Sequence, residues 1–186
     1  MLEDEFTEIQ SKIWQSLAEA VGSQDSAWRI FTLATMGAEQ FPQARQVVLR
    51  GVNSEARQLH FFTDPRTPKW SQLLEHPRAE ALFWNSNEKI QLRCRCRAQS
   101  HQNDELSECY RKQVPDHLAG DYAALSVPGT KIECPAAGQD LGKEWSFGVV
   151  VLTVTAIDWL QLSREGHRRV RFRWQDGEWG AYWVQP

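Results

Sequence analysis

Short runs rich in β-branched and aromatic residues, separated by turn residues, recur along most of this 186-residue chain. Runs of this kind are typical of strands, and their meander order argues against a parallel sheet. About seven or eight strands in meander order therefore favour a small β-barrel. The predicted strands cover residues 28–35, 43–52, 58–62, 79–84, 89–100, 147–157, 168–174 and 179–184.

Three other segments have a helical pattern. Apolar residues recur at helical spacing in the first, which ends before Gly22 and a polar stretch. Thr67 is placed to cap the second helix, and Asn103 or Asp104 the third. The fold class is therefore mainly β with flanking helices. The predicted helices cover residues 5–21, 68–75 and 103–113.

The length is sufficient for one domain with a buried core, and no repeat or long linker divides the chain. We therefore predict a single domain over residues 1–186. Its parts are an N-terminal helix (1–25), a main barrel with a phosphate-binding helix (27–113), a loop-rich insertion (114–144) and C-terminal strands (145–186).

Composition excludes several classes of protein. The net charge of −3 gives no sign of a nucleic-acid partner, and no apolar run approaches the roughly 20 residues that span a bilayer. The acidic N-terminus lacks the basic start of a secretory signal, so we expect a cytoplasmic protein with no membrane association. The four cysteines lack metal-site spacing, so free thiols and no metal are expected. Nine tryptophans are compatible with an oligomer interface.

Two arginines bracket the apolar centre of the second predicted strand, at positions 45 and 50. The planar guanidinium group suits phosphate oxygens. In a regular strand, however, residues five apart face opposite sides of the sheet. Arg45 and Arg50 can therefore contact one ligand only at a bulge or at the strand end, and a solvated strand edge is the alternative.

The segment from Phe62 to Lys69 brings a strand end, a turn and the first turn of a helix together. A helix N-terminus offers free N–H groups and a positive dipole end, which stabilise an anion. Arg66, Thr67 and Lys69 would add two cations and a hydroxyl, which makes a phosphate site chemically sensible. The alternative is that Thr67 only caps the helix while the two cations face water.

The run from Gln91 to Arg97 alternates between two kinds of residue. Alternation along a strand places Gln91, Arg93 and the two following arginines on one face, and Leu92, Cys94 and Cys96 on the core face. Three arginines on one strand face require partners. Solvent, acidic groups of another subunit or an anionic ligand could each supply them.

The order of these motifs resembles the pyridoxamine 5′-phosphate oxidase family. The resemblance rests on Arg-x-Val-Val-Leu-Arg, then Phe-Phe-Thr-Asp followed by Thr67 and Lys69, then Leu-Phe-Trp leading to Gln91. It continues through Trp145, the run 167–172 and Trp179, and so covers nearly the whole chain after the first helix. The family implies an FMN-binding split β-barrel that works as a homodimer with flavin at the subunit interface.

The resemblance also implies roles for single residues. Thr67 and Lys69 would hold the phosphate of the flavin, Gln91 would bond its polar edge, and Arg171 would approach it. On the substrate side the candidates are Arg168, Arg169 and Tyr110, with His167 as a possible proton handler whose alternative is plain surface placement. The implied cofactor-binding residues are Arg45, Val48, Leu49, Arg50, Phe62, Thr63, Arg66, Thr67, Lys69, Gln91 and Arg171.

The chain departs from the family pattern on both sides of the flavin. The basic pair before the phosphate helix reads Pro68-Lys69, so one phosphate ligand is missing, and Arg66 could compensate. The loop that usually carries Gln-Ser to the partner's flavin reads Pro128-Gly129, and Leu160 replaces an aromatic residue.

On the substrate side, Tyr110 matches the tyrosine that holds the substrate phosphate, but Val114 falls near the expected arginine. The motif Arg-Leu-His becomes Arg168-Arg169-Val170 and loses its histidine. Phosphate recognition is thus weakened for the substrate and largely kept for the flavin.

The resemblance implies an FMN-dependent oxidoreductase with an altered small-molecule substrate site. A flavoprotein oxidase would pass hydride from substrate to flavin and electrons on to dioxygen. Two alternatives remain open at this point: an NAD(P)H-dependent flavin reductase, and a non-catalytic flavin- or haem-handling protein on the same barrel.

Overall fold

The computed structural model describes residues 2–115, 118–134 and 140–186. The parts of the predicted insertion 114–144 at residues 116–117 and 135–139 lie outside these described residues. The helices are α1 Leu2–Gly22, α2 Pro68–Glu75, α3 Glu105–Arg111 and the short α4 Gly120–Ala123. The strands are β1 Ile30–Met36, β2 Pro42–Val48, β3 Gly51–Asn53, β4 Gln58–Thr63, β5 Arg78–Asn85, β6 Ile90–His101, β7 Gly148–Gln161, β8 Arg168–Gln175 and β9 Glu178–Trp183.

The nine strands of the described residues form one antiparallel sheet. Seven of them follow the order β2-β1-β5-β6-β7-β4-β3, while β8 pairs with β7 and with β9. The long strand β7 divides the sheet, because β4 pairs with residues 148–153 of β7 and β8 pairs with residues 156–161. A shift in register between Arg95 and Cys96 accompanies this division. The mainly β fold with flanking helices is thereby confirmed.

The predicted single strand 43–52 is wrong in one respect, because the structure breaks it at Leu49 and Arg50. The backbone N–H of Leu49 donates to Arg29 O at 2.7 Å, and that of Arg50 donates to His60 O at 2.8 Å. The chain thus leaves β1 and pairs with β4 through β3. An apolar run gives no sign of this change of partner, which turns a corner of the barrel.

Most of the core lies inside the barrel, where α1 packs through Ile13, Trp14 and Leu17. Cys94 and Cys96 are buried there, as the alternation of β6 predicts, and the four cysteines are free thiols. A second, smaller cluster covers the other face of β4 and β7. It consists of Val114, Tyr122, Phe147, Val149 and Val151, with Phe62, Leu106, Tyr110, Leu118 and Trp145 packed against it.

Local signals account for several element ends. Asp104 caps α3 by accepting a hydrogen bond from Ser107 N at 2.9 Å. The predicted hairpin at Asp176-Gly177 forms, with φ of 53° and 87° at the two turn residues. Among the described residues, no helix is long and apolar enough to cross a membrane.

Candidate functional site

A cavity of about 290 Å³ lies where the end of β2, the end of β4 and the start of α2 meet. Among its lining residues are six of the predicted cofactor-binding residues, which come from three separate segments of the chain. The break after β2 allows Arg50 to turn toward this cavity. The six are Val48, Arg50, Phe62, Thr63, Thr67 and Lys69.

An ammonium group and two hydroxyls converge at the α2 end of this cavity. The ammonium group of Lys69 donates to Thr63 Oγ1 at 3.0 Å, and the hydroxyls of Thr63 and Thr67 lie 3.2 Å apart. Thr67 occupies the N-cap position of α2, but its hydroxyl donates to Asp64 O at 2.7 Å and does not cap the helix. We call these three residues the cradle. One cation, two hydroxyls and a helix N-terminus are the groups that bind an anion.

Charges around the cradle leave Lys69 available to an anion. Burial lowers the pKa of Lys69, and the positive charge of Arg45 acts in the same direction against the opposing charge of Asp64. The Asp64 carboxylate is itself bound by Arg66, whose Nη2 lies 2.7 Å away. An anion close to Lys69 would therefore remove an unfavourable interaction between cations and would meet a neutralised aspartate.

The predicted residue Arg45 lies behind the cradle and reaches a buried polar pair. Its Nη2 donates to Gln72 Oε1 at 3.1 Å, and Thr35 Oγ1 donates to the same oxygen at 2.7 Å. Arg66 donates to the carbonyl oxygens of Ala124 and Leu125 as well as to Asp64, so its donors face the loop after α4. Sequence reasoning missed Gln72, which the structure shows to be a buried polar residue of α2.

Gly148 fixes the position of the cradle relative to the sheet. It pairs with Thr63 across β4 and β7. A Cβ atom at this glycine would lie 2.5 Å from the Trp70 ring and 3.0 Å from Pro65 Cγ. Trp70 belongs to the first turns of α2, so the glycine lets that helix approach the strand end closely.

Gly148→Ala is therefore expected to lower the free energy of unfolding by about 1–3 kcal/mol through overpacking. It should also weaken anion binding, because the shift of Trp70 displaces Lys69. Gly22→Ala is the matched control, since no atom lies within 4 Å of a Cβ there. Urea unfolding measures the first effect, and the same urea midpoint for both variants would contradict this prediction.

A second group of predicted residues lies on the outer face of β6, β7 and β8. Asp158 accepts hydrogen bonds there from three arginines. The Asp158 carboxylate oxygens lie 2.8 Å from Arg93 Nη2, 2.9 Å from Arg169 Nε and 3.0 Å from Arg171 Nε. The partner of Arg93 is thus an acid of its own chain, which was not among the partners that the sequence suggested. We call these four residues the arginine cluster.

Burial disfavours the charge of Asp158, but the hydrogen bonds from Arg169, Arg93 and Arg171 outweigh it and hold the pKa of this carboxyl well below its usual range. Sequence reasoning missed Asp158. The sequence does indicate this residue in one way, because Asp158 is the single ionisable residue in the strand Gly148–Gln161. A lone carboxylate in a buried strand requires cationic partners.

The remaining predicted residues lie apart from the cradle. Arg168 forms an ion pair with Glu5 of α1, and its guanidinium lies 5.2 Å from the Trp183 ring centre. His167 Nδ1 accepts from Ser163 N at 3.2 Å in an exposed loop. Tyr110 bonds His60. The Leu49 side chain is fully buried in the core, which leaves only its backbone for a ligand.

Within one chain, the structure therefore assembles the cradle apart from Gln91, Arg169 and Arg171, which lie on the outer face of the sheet. Arg168 lies on the opposite side of β8, beside α1. Among the described residues, no three His, Cys, Asp or Glu side chains lie close enough together to hold a metal ion. The cradle fits the phosphate of a cofactor such as FMN, because a cation and two hydroxyls converge at a helix N-terminus and the lysine is bound only to a hydroxyl in the described residues.

Comparison with known proteins identifies the family. Residues 11–102 match the family model of the pyridoxamine 5′-phosphate oxidase FMN-binding domain, which indicates FMN as the cofactor. The chain is 26% identical to the pyridoxine/pyridoxamine 5′-phosphate oxidase of Thermosynechococcus vestitus, over 95% of this chain and 87% of that protein. It is 29% identical to the enzyme of the same name from Cupriavidus pinatubonensis, with the same two coverages.

Solved structures agree on the fold. A pyridoxamine 5′-phosphate oxidase-related, FMN-binding protein from Nostoc punctiforme superposes with a TM-score of 0.77 at 23% identity, covering 95% of this chain and 96% of that one. PhzG from Burkholderia lata, solved in complex with tetrahydrophenazine-1-carboxylic acid, superposes with a TM-score of 0.74 at 17% identity, covering 94% and 90%. The family model and the curated relatives, together with the shared fold, show that the chain belongs to the pyridoxamine 5′-phosphate oxidase-related family of FMN-binding split β-barrel proteins.

Proposed function

We propose that this protein is an FMN-dependent oxidoreductase whose substrate site differs from that of pyridoxamine 5′-phosphate oxidase. The observation that carries the proposal is the cradle, whose cation and hydroxyls converge on an anion position beside an aromatic-lined cavity. The names of the curated relatives add support for redox chemistry. Bound FMN would accept a hydride from a substrate and pass two electrons to an acceptor such as dioxygen.

We further propose that the protein works as a homodimer that holds FMN at the subunit interface. The outer face that carries the arginine cluster also exposes large apolar side chains: Ile30 is 53%, Trp84 47% and Tyr182 43% exposed. Exposed apolar groups together with arginines are typical of protein interfaces. Pairing of this face with a second copy would bring Gln91 and Arg171 of one chain toward the cradle of the other.

In this proposal the substrate-side residues remain Arg168, Arg169, Tyr110 and His167. Arg168 lies against the rings of Trp159 and Trp183, at 5.7 and 5.2 Å from their centres, which orients its guanidinium at the start of β8. Arg169 is oriented by Asp158. His167 is exposed and directly precedes Arg168 in the chain.

The proposal predicts that pyridoxamine 5′-phosphate reduces the bound flavin slowly, below about one event per second, because Val114 and Val170 offer no polar anchor. The measurement is anaerobic stopped-flow absorbance of the FMN-loaded protein. Rapid bleaching by NAD(P)H would identify a flavin reductase instead. Protein that takes up no FMN on titration would overturn every flavin-based function.

A further inference from the structure

We propose that the cavity beside the cradle accepts a planar aromatic substrate that carries no phosphate group. This inference rests on the proposed function and names the substrate class of the same site. It depends on three features of the chain: the aromatic wall of the cavity, the engagement of the Tyr110 hydroxyl, and the charges that line the cavity.

The wall of the cavity away from the cradle is aromatic. Phe62 and Tyr122 line it, and Phe147 packs behind them with its ring centre 5.1 Å from that of Phe62 and 5.0 Å from that of Tyr122. The rings meet edge to face, an arrangement that favours aromatic contacts. Arg50 lies over Phe62, with its guanidinium carbon 5.7 Å from the ring centre. A flat ring entering the cavity would find both apolar surface and edge contacts.

The hydroxyl of Tyr110, which by family resemblance would bind a substrate phosphate, is already engaged. It lies 2.6 Å from Nδ1 of the buried His60. Gly51 is packed against it so closely that a Cβ atom there would lie 2.5 Å from the hydroxyl oxygen. Burial also raises the pKa of Tyr110, so the phenol stays neutral. A substrate would therefore compete with His60 for this hydroxyl.

The remaining positions of this corner do not favour a second phosphate. Val114, near which the family has an arginine, is only 9% exposed and packs in the apolar cluster with Tyr122. The carboxylate of Asp121 lines the same cavity. Lys69 and Arg50 are the two cations among the lining residues of the described chain, and both are among the residues predicted to bind the flavin.

These features decide between two classes of substrate. A phosphate dianion must exchange its hydration shell for several charge-assisted hydrogen bonds, which two cations already predicted to bind the flavin do not provide. An aromatic ring without a phosphate loses little hydration and gains apolar contact with Phe62 and Tyr122. The second class fits the cavity.

The test compares two ligands that share a ring, 1-naphthol and 1-naphthyl phosphate, binding to the FMN-loaded protein at neutral pH. Isothermal titration and the shift of the visible flavin spectrum give both dissociation constants without turnover. We expect 1-naphthol to bind at least about fivefold more tightly than the phosphate, and Tyr122→Leu to weaken 1-naphthol about five- to tenfold. Val114→Arg should reverse the preference, whereas Val114→Ala should keep it.

Tighter or equal binding of 1-naphthyl phosphate by the FMN-loaded wild type overturns the inference and leaves the proposed function standing. Binding of neither ligand also overturns it. Protein that retains no FMN overturns both. The wild-type comparison and Tyr122→Leu decide the outcome even where Val114→Arg does not fold, since arginine is placed in an apolar cluster there.

Discussion

Replacing Asp158 by asparagine is expected to lower the free energy of unfolding by about 2–4 kcal/mol. The side chain of Asp158 is only 12% exposed and is the shared anion of Arg93, Arg169 and Arg171. Asparagine keeps the shape but removes the charge, which leaves three guanidinium groups facing one another. Urea unfolding of the two proteins side by side measures the loss.

Glu80→Gln is the matched control on the same sheet face. Glu80 lies 4.0 Å from Arg93 and from Arg95 and is 38% exposed, so its loss should change the free energy of unfolding by less than about 1 kcal/mol. A urea midpoint for Asp158→Asn as high as that of Glu80→Gln would show that this carboxylate does not hold the cluster together.

The same residue predicts the pH dependence of stability. The folded-state pKa of Asp158 is lowered from its usual value of 3.8. Between the two values the unfolded chain binds more protons, so stability rises with pH in that interval. The contribution of Asp158 is complete above pH 3.8 and is lost as the pH falls through the folded value. Asp158→Asn should therefore flatten the acid side of the stability profile.

The cradle could be predicted from sequence because its residues are neighbours in the chain. Thr63, Thr67 and Lys69 lie within seven positions at a strand end and a helix start, where local geometry decides which groups converge. The two faces of β6 were equally accessible, since alternation along a strand depends only on adjacent residues. The exposed arginines and buried cysteines of that strand follow this pattern.

Features that depend on distant segments could not be predicted in the same way. The pairing of Asp158 with Arg93 and Arg171 requires the register of β7 against both β6 and β8, which no local pattern contains. The break at Leu49 depends on where the chain changes partner from β1 to β4. The engagement of Tyr110 by His60 joins residues 50 positions apart and became visible only in the folded chain.

Lys69→Met should lower the affinity for FMN by about 10- to 150-fold, which corresponds to a charge-assisted bond of about 1.5–3 kcal/mol. Methionine keeps the length of the side chain and removes its charge. Riboflavin, which lacks the phosphate, should bind both proteins equally. Fluorescence titration with the two ligands therefore separates loss of the phosphate contact from damage to the ring site.

The pH dependence of FMN affinity gives an independent measure of the same contact. The pKa of Lys69 is lowered by burial and by Arg45, so affinity for FMN should fall as the pH rises through that value. Lys69→Met should lack this decrease. Lys12→Met, which removes an exposed lysine of α1, should match the wild type in both titrations.

Mixing Lys69→Met chains with a second variant tests whether each flavin site of the proposed dimer is built from both chains. Arg171→Met should also weaken FMN binding, and it should still fold because Arg93 and Arg169 continue to hold Asp158. In a two-fold dimer, random exchange with Lys69→Met chains makes about half of the dimers mixed. If each site combines the cradle of one chain with Arg171 of the other, one of the two sites in every mixed dimer is intact. About a quarter of all sites should then bind FMN tightly. No recovery of tight sites would mean that both act within one chain.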